Sequence, residues 1–192
     1  MTARITSRIH TSTASLLHLA LLSSLVTVPL FAADSAATKH SAHEQSAPAT
    51  LVQQVREGTK KYIDVNAATA AGYGPFLGCV AGTDHGAMGV HYVNPTLLGN
   101  LTLDPAQPQA LIYEPSDGKM TLVGVEFILD SAAWLAANNN TPPVLDGQVF
   151  NFVDAPNRFN IPSFFELHVW AWRDNPQGAF VDWNNHVTCA GE

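Results

Sequence analysis

The chain has 192 residues, 46% of them hydrophobic and 13% charged, with 9 Lys+Arg against 16 Asp+Glu and a formal net charge of −7. This acidic balance leaves no electrostatic footprint for nucleic acid or for an anionic lipid surface. The length and composition suit one ordinary globular domain with a single core.

Arg4 and Arg8 precede an apolar run from Leu16 to Phe31, and small residues follow from Ala32 to Ala37. This is the pattern of a secretory signal peptide, assigned to residues 1–33. Ser23, Ser24, Thr27 and Pro29 interrupt the run, which is shorter than the roughly 20 residues that a membrane span needs. The expectation is an exported chain, secreted or periplasmic, with no membrane span once the signal is removed. Residues 34–49 are small and polar and read as a flexible leader, in which His40 and His43 are solvated.

The domain is expected over residues 50–192. Thr50-Leu51-Val52-Gln53 has the form of a capping box, and Leu51, Val55 and Tyr62 follow at helical spacing. This predicts one amphipathic helix from Leu51 to Ala70, stopped by Gly72 and the Gly74-Pro75 pair. Strands are predicted at Val90–Val93, Ala110–Glu114 and Met120–Leu129. The second and third flank an Asp117-Gly118 turn, a strong hairpin signal. A two-residue turn there would set Tyr113 opposite Leu122, with Glu126 on the same side. Asp130-Ser131 then caps a short helix to Ala137, and further strands are predicted at Gly147–Val153 and Phe164–Trp172. The fold class that follows is α+β: a curved, mainly antiparallel sheet packed on one long N-terminal helix, with a short helical insertion.

The two cysteines, Cys79 and Cys189, read as one disulfide in an oxidising compartment. On Phe164–Trp172, FFELHVWAW, the two-residue period separates Phe165, Leu167, Val169 and Ala171 from Glu166, His168, Trp170 and Trp172. The first set is core. The second combines rings that resist exposure with polar groups that resist unpaired burial, which is the composition of a pocket wall.

His91 sits in one strand, and Glu126 interrupts an otherwise apolar one. His91, Glu126 and His168 therefore form a candidate two-histidine, one-carboxylate set that suits a divalent transition metal: Zn, Fe, Mn or Cu. Glu166, two residues from His168, is the candidate catalytic acid/base or a fourth ligand. Tyr113, Trp170 and Trp172 are candidate ligand-binding walls. His85 and His186 fall in loops and read as solvent-facing, and Met88 reads as packing.

Two other readings stay open. One is a metal-free periplasmic module that binds a small ligand or contacts the envelope through an aromatic-lined pocket. The other is a structural polar network. The chain lacks G-x-S-x-G, H-E-x-x-H, C-x-x-C-H and phosphate-loop motifs.

Gly86–Val93, Tyr113-Glu114-Pro115, Val123–Glu126, Ala155–Arg158 and Glu166–Trp172, with Asn175-Pro176 and Asp182-Trp183-Asn184 after them, resemble an uncharacterised group of secreted bacterial proteins. The resemblance implies export and carries no activity, cofactor or residue role. The cupin pattern of H-x-H followed by Glu is missing. The reading as a whole is an exported metal-binding protein, a metal-dependent enzyme in its sharper form, whose partner is a small molecule.

Overall fold

A computed structural model describes residues 46–192, with side chains from Thr50 onward. The signal-peptide reading, and the leader up to residue 45 with His40 and His43, lie outside the described residues. The leader's last residues already belong to a helix, α1, Ser46–Thr59, so Thr50 lies inside it and does not begin it.

The single helix expected to Ala70 is instead three pieces. After α1 come a 3₁₀ turn, Lys60–Tyr62, and a separate helix α2, Val65–Ala70. Two side chains explain the break. Asp64 adopts an extended conformation and its carboxylate accepts from Asn66 N, which starts a new helix. The Tyr62 carbonyl is taken by the Tyr113 hydroxyl, at 2.6 Å, in place of a continuing helical partner. Helical periodicity survives across the break because Leu51, Val55 and Tyr62 all still reach the core.

Six strands make one antiparallel sheet in the order β1-β2-β3-β4-β8-β7: β1 Gly74–Ala81, β2 Ala87–Val93, β3 Ala110–Ser116, β4 Lys119–Asp130, β7 Asn151–Val153 and β8 Phe164–Val169. A four-residue helix α3, Pro95–Leu98, follows β2, and α4, Ser131–Ala137, follows β4 with Asp130 as its cap. The strand expected at Gly147–Val153 is divided. Val144–Leu145 (β5) and Gln148–Val149 (β6) form a small separate hairpin across Asp146-Gly147, and only Asn151–Val153 joins the main sheet.

One face of the sheet packs on α1, the 3₁₀ turn and α2. Leu51, Val55, Leu111, Tyr113, Val125, Phe127, Phe165, Leu167, Val169 and Ala171 fill this main core. Burying each large aliphatic or aromatic side chain stabilises by roughly 1.5–3 kcal/mol. The opposite, concave face is covered in part by the chain after β8, through a smaller cluster of Ala87, Ile112, Val123, Trp170 and Val187.

The C-terminal segment is tied down at several points. Asn184 and Ala87 exchange backbone hydrogen bonds, and Glu114 accepts from both Arg173 and Thr188 N. A disulfide joins Cys79 of β1 to Cys189. That bond fits an oxidising compartment. Among the described residues, no helix is long and apolar enough to cross a membrane.

A bulge decides which side chains reach which face. Tyr113 pairs with Leu122, as the Asp117-Gly118 turn predicts, but the next pair is Ile112 with Gly124, so Val123 is an extra residue on β4. It reverses the alternation. Leu122 points to the helix side, Val123 to the concave side, and beyond the bulge Val125, Phe127 and Leu129 return to the helix side. Glu126 therefore faces away from Tyr113 and Leu122, on the concave side.

Candidate metal centre

Glu126 lies directly opposite His168 in the β4–β8 register, so their side chains share the concave face. His91 comes from β2, with β3 and β4 between it and β8. On a flat sheet, three strand spacings would separate His91 from His168 by about 14 Å. In the curled sheet their Nε2 atoms stand 3.5 Å apart. On β3 that concave face carries Ile112, opposite His91 and Gly124, and Ala110, opposite Val93 and Glu126.

The distances bear on what can sit there. Nε2 of His91 is 3.5 Å from Nε2 of His168 and 3.2 Å from Oε2 of Glu126. Ligand atoms about 2.0–2.1 Å from a tetrahedral ion are separated from one another by about 3.3 Å. Both edges fit that spacing, and the N···N distance is long for a hydrogen bond. One ligand atom from each of His91, Glu126 and His168 falls within 4.8 Å of the others, so the buried group could hold a metal ion. Glu166, His168 and Asp182 make a second group of the same kind, meeting the first at His168.

Nδ1 of His168 is buried without a hydrogen-bond partner, and the nearest acid is Asp182, whose Oδ1 lies 3.7 Å away. Asp182 is held in place by Asn151 Nδ2 on the edge strand β7, at 3.0 Å. A histidine that ligates through Nε2 carries its proton on Nδ1 and commonly gives it to a carboxylate. The His168–Asp182 pair has that orientation. Asp182 was not legible as a site residue, because it lies in an irregular turn where no periodicity assigns a direction.

Burial dominates the electrostatics. It pushes the His91 ring down to about 4, against a lift from a hydrogen bond with the Gly89 backbone. Burial also holds His168 well below the ordinary histidine range, helped by the proximity of His91. Glu126 is raised well above the usual carboxylate range by burial and then by Glu166, and burial pushes Glu166 up to about 7, with a hydrogen bond from Glu126 opposing. Asp182 is raised by burial as well. The Lys and Arg ion pairs of the described residues, Lys60–Glu57 and Arg173–Glu114, are elsewhere. The cluster thus gathers acids and neutral imidazoles with no side-chain cation to balance them.

The other site candidates divide between the faces. Trp170 stacks on His168, with ring centroids 6.1 Å apart and planes at 24°, and its Nε1 donates to Val181 O. Gly124 makes room for it: a Cβ there would lie 3.1 Å from the Trp170 ring and 3.0 Å from the Val169 carbonyl. Trp172 does not share that wall. β8 ends at Val169, Ala171 N bonds back to Val169 O, and this tight turn breaks the alternation. Trp172 packs on the helix-side core and donates to Thr59 Oγ1. Tyr113 is also on that side, fully buried, for the reason the Val123 bulge supplies. His85 and His186 are exposed, and Met88 is buried in the pocket wall.

A pocket opens in front of the cluster, with about 440 Å³ of empty space including its open mouth. His91, Glu126 and Glu166 are the polar side chains in its lining, which is otherwise apolar. No family model, curated protein or solved structure matches the chain.

Proposed function

We propose that this is an exported metal-binding protein that acts as a metal-dependent enzyme on a small organic molecule. His91 Nε2, His168 Nε2 and the Glu126 carboxylate would hold one divalent transition ion, Zn, Fe, Mn or Cu. The observation that carries the reading is that one ligand atom from each of these residues, on β2, β8 and β4, lies within 4.8 Å of the others, two of the separations being 3.5 and 3.2 Å. The ion would supply Lewis acidity or an activated water.

The chain's own groups have definable roles around it. Asp182, its Oδ1 3.7 Å from His168 Nδ1, would orient that ring once an ion held Nε2. Glu166, lining the pocket beside Glu126 and titrating near neutrality, can hold or release a proton toward a bound molecule, which suits a general acid/base. Trp170 covers one side of His168 and excludes water from it.

A metal-free binding module is the second reading, and the apolar lining of the pocket favours it. It does not account for two buried imidazoles, whose charging burial disfavours, facing each other through Nε2 at 3.5 Å. Elemental analysis of untagged protein, purified without exposure to affinity-column metal, separates the two. Close to one ion per chain, lost in His91→Ala and His168→Ala, is the expected result. Trace metal that neither substitution changes would overturn the metal reading.

A further inference from the structure

We propose that the pocket in front of His91, Glu126 and Glu166 takes an uncharged molecule with an apolar body and a single oxygen donor at one end. The proposal rests on the metal-centre reading only for what that oxygen finally meets; the apolar body is read from the pocket alone.

Of the pocket's space, about 440 Å³ with its open mouth counted, about 50 Å³ admits the centre of a water-sized sphere, which suits a slender chain. Its walls are Phe76 and Leu77 of β1, Ile128 of β4, and Phe159, Ile161 and Phe164 at the entry to β8, with further aliphatic groups from β1 and β2. Polar groups appear only at the floor. A ligand seated there meets hydrocarbon along its length and acid or imidazole at one end.

The rim adds a separate observation. Between Phe76 and Cys79 the pairing of β1 with β2 is interrupted, and Leu77 and Gly78 bulge out with φ of 62° and 73°. Leucine rarely occupies the left-handed region, and holding it there is unfavourable. Leu77 is 59% exposed and Phe76 42% exposed, yet both line the pocket. The bulge is anchored immediately after, where Cys79 is bonded to Cys189 and its N–H donates to the Glu192 side chain. Two apolar side chains are thus fixed in water at the mouth, where an apolar ligand would cover them.

Charge selects among apolar ligands. The lining contains no lysine or arginine, while Glu126 and Glu166 lie at its end. A fatty-acid carboxylate would meet like charge or force protons onto these acids. An alcohol, aldehyde, ketone or ester oxygen would not.

The test is calorimetric titration of 1-hexanol, 1-octanol and octanoate into the full chain, first stripped with chelator and then reloaded with zinc. In the stripped protein octanol should bind about 15-fold more tightly than hexanol, from two additional buried CH₂ groups, and octanoate more weakly than octanol. Leu77→Asn, which keeps a residue tolerant of the left-handed backbone, and Ile161→Asn should each weaken octanol roughly tenfold. Circular dichroism melting checks that both variants stay folded. Equal binding of the two alcohols, preference for octanoate in the stripped protein, or indifference to both substitutions in folded variants overturns the proposal. Failure of zinc to bind while the alcohol series holds overturns the metal reading and leaves the pocket assignment supported.

Discussion

His91 and His168 present their Nε2 atoms to each other at 3.5 Å, although they belong to strands separated by two others. Two neutral imidazoles gain little from that approach, and burial disfavours charging either of them. Such a pairing has a physical purpose when a cation comes between the rings. Chelator treatment should therefore lower the thermal midpoint, and restoring an excess of the native ion should raise it. An ion at 100 times its dissociation constant stabilises by about 2.7 kcal/mol. An identical melting curve before and after chelation would speak against a resident ion.

Asp182 should act through His168 and not through the fold. Its side chain is 30% exposed and its hydrogen bond is to Asn151 at the sheet edge. Asp182→Asn keeps the shape and removes the acceptor charge, so metal affinity should fall roughly 10- to 100-fold. The denaturation midpoint of the metal-free protein should change little. A large loss of metal-free stability with unchanged affinity would show Asp182 to be a structural residue.

The pH dependence has a defined sign. Glu126 and Glu166 keep protons in the fold well above the ordinary value of 4.5, so the stability they contribute is complete below that pH and is lost as pH rises, through about 7 for Glu166. The histidines run the other way. Their stability is present above 6.5 and is lost as pH falls, through about 4 for His91. Metal-free protein should thus weaken in urea between about pH 6.5 and pH 7, where the loss through Glu166 acts without opposition from the histidines. Metal affinity should rise over the same interval, because the ligands must shed their protons. Metal-free stability that climbs over this interval would contradict the raised carboxyls.

Gly124→Ala places a methyl group against the Trp170 ring and the Val169 carbonyl. Overpacking of this kind destabilises by about 1–3 kcal/mol. Displacing the ring from His168 should also shift the tryptophan emission, with Trp170→Phe identifying that signal. Unchanged stability and emission would mean that the ring has room to move.

Opening Cys79–Cys189 by double substitution to serine removes a crosslink across 110 residues. The loss should be about 2–5 kcal/mol. It should also release the Leu77–Gly78 bulge, so amide exchange at Phe76–Cys79 should accelerate more than exchange in β4 and β8. Uniform acceleration across the sheet would show that the crosslink acts on global stability alone.

Much of the sheet was legible from alternation and turn chemistry. The Asp117-Gly118 hairpin and the Tyr113–Leu122 pairing follow from local rules, as do the core side of FFELHVWAW and the grouping of His91, Glu126 and His168 as polar interruptions in apolar strands. What escaped depends on contacts distant in sequence. The break after α1 needs Tyr113 to claim the Tyr62 carbonyl. Strand β1 hides behind Gly74-Pro75, which signals a stop even though the edge of a sheet tolerates it. The departure of Trp172 requires the turn at Val169–Ala171, and Asp182 gains meaning only when Asn151 and His168 are beside it.

The Val123 bulge carries a consequence for how such a chain can change over generations. Because one surplus residue sets the phase of everything after it in β4, deleting Val123 would exchange the fates of Glu126 and its apolar neighbours, driving the carboxylate beneath α1 and turning Val125 and Phe127 toward the histidines. Substitutions can adjust this centre one group at a time. A shift in length by a single codon erases it together with the core, so the spacing from Tyr113 to Glu126 is inherited as one indivisible unit.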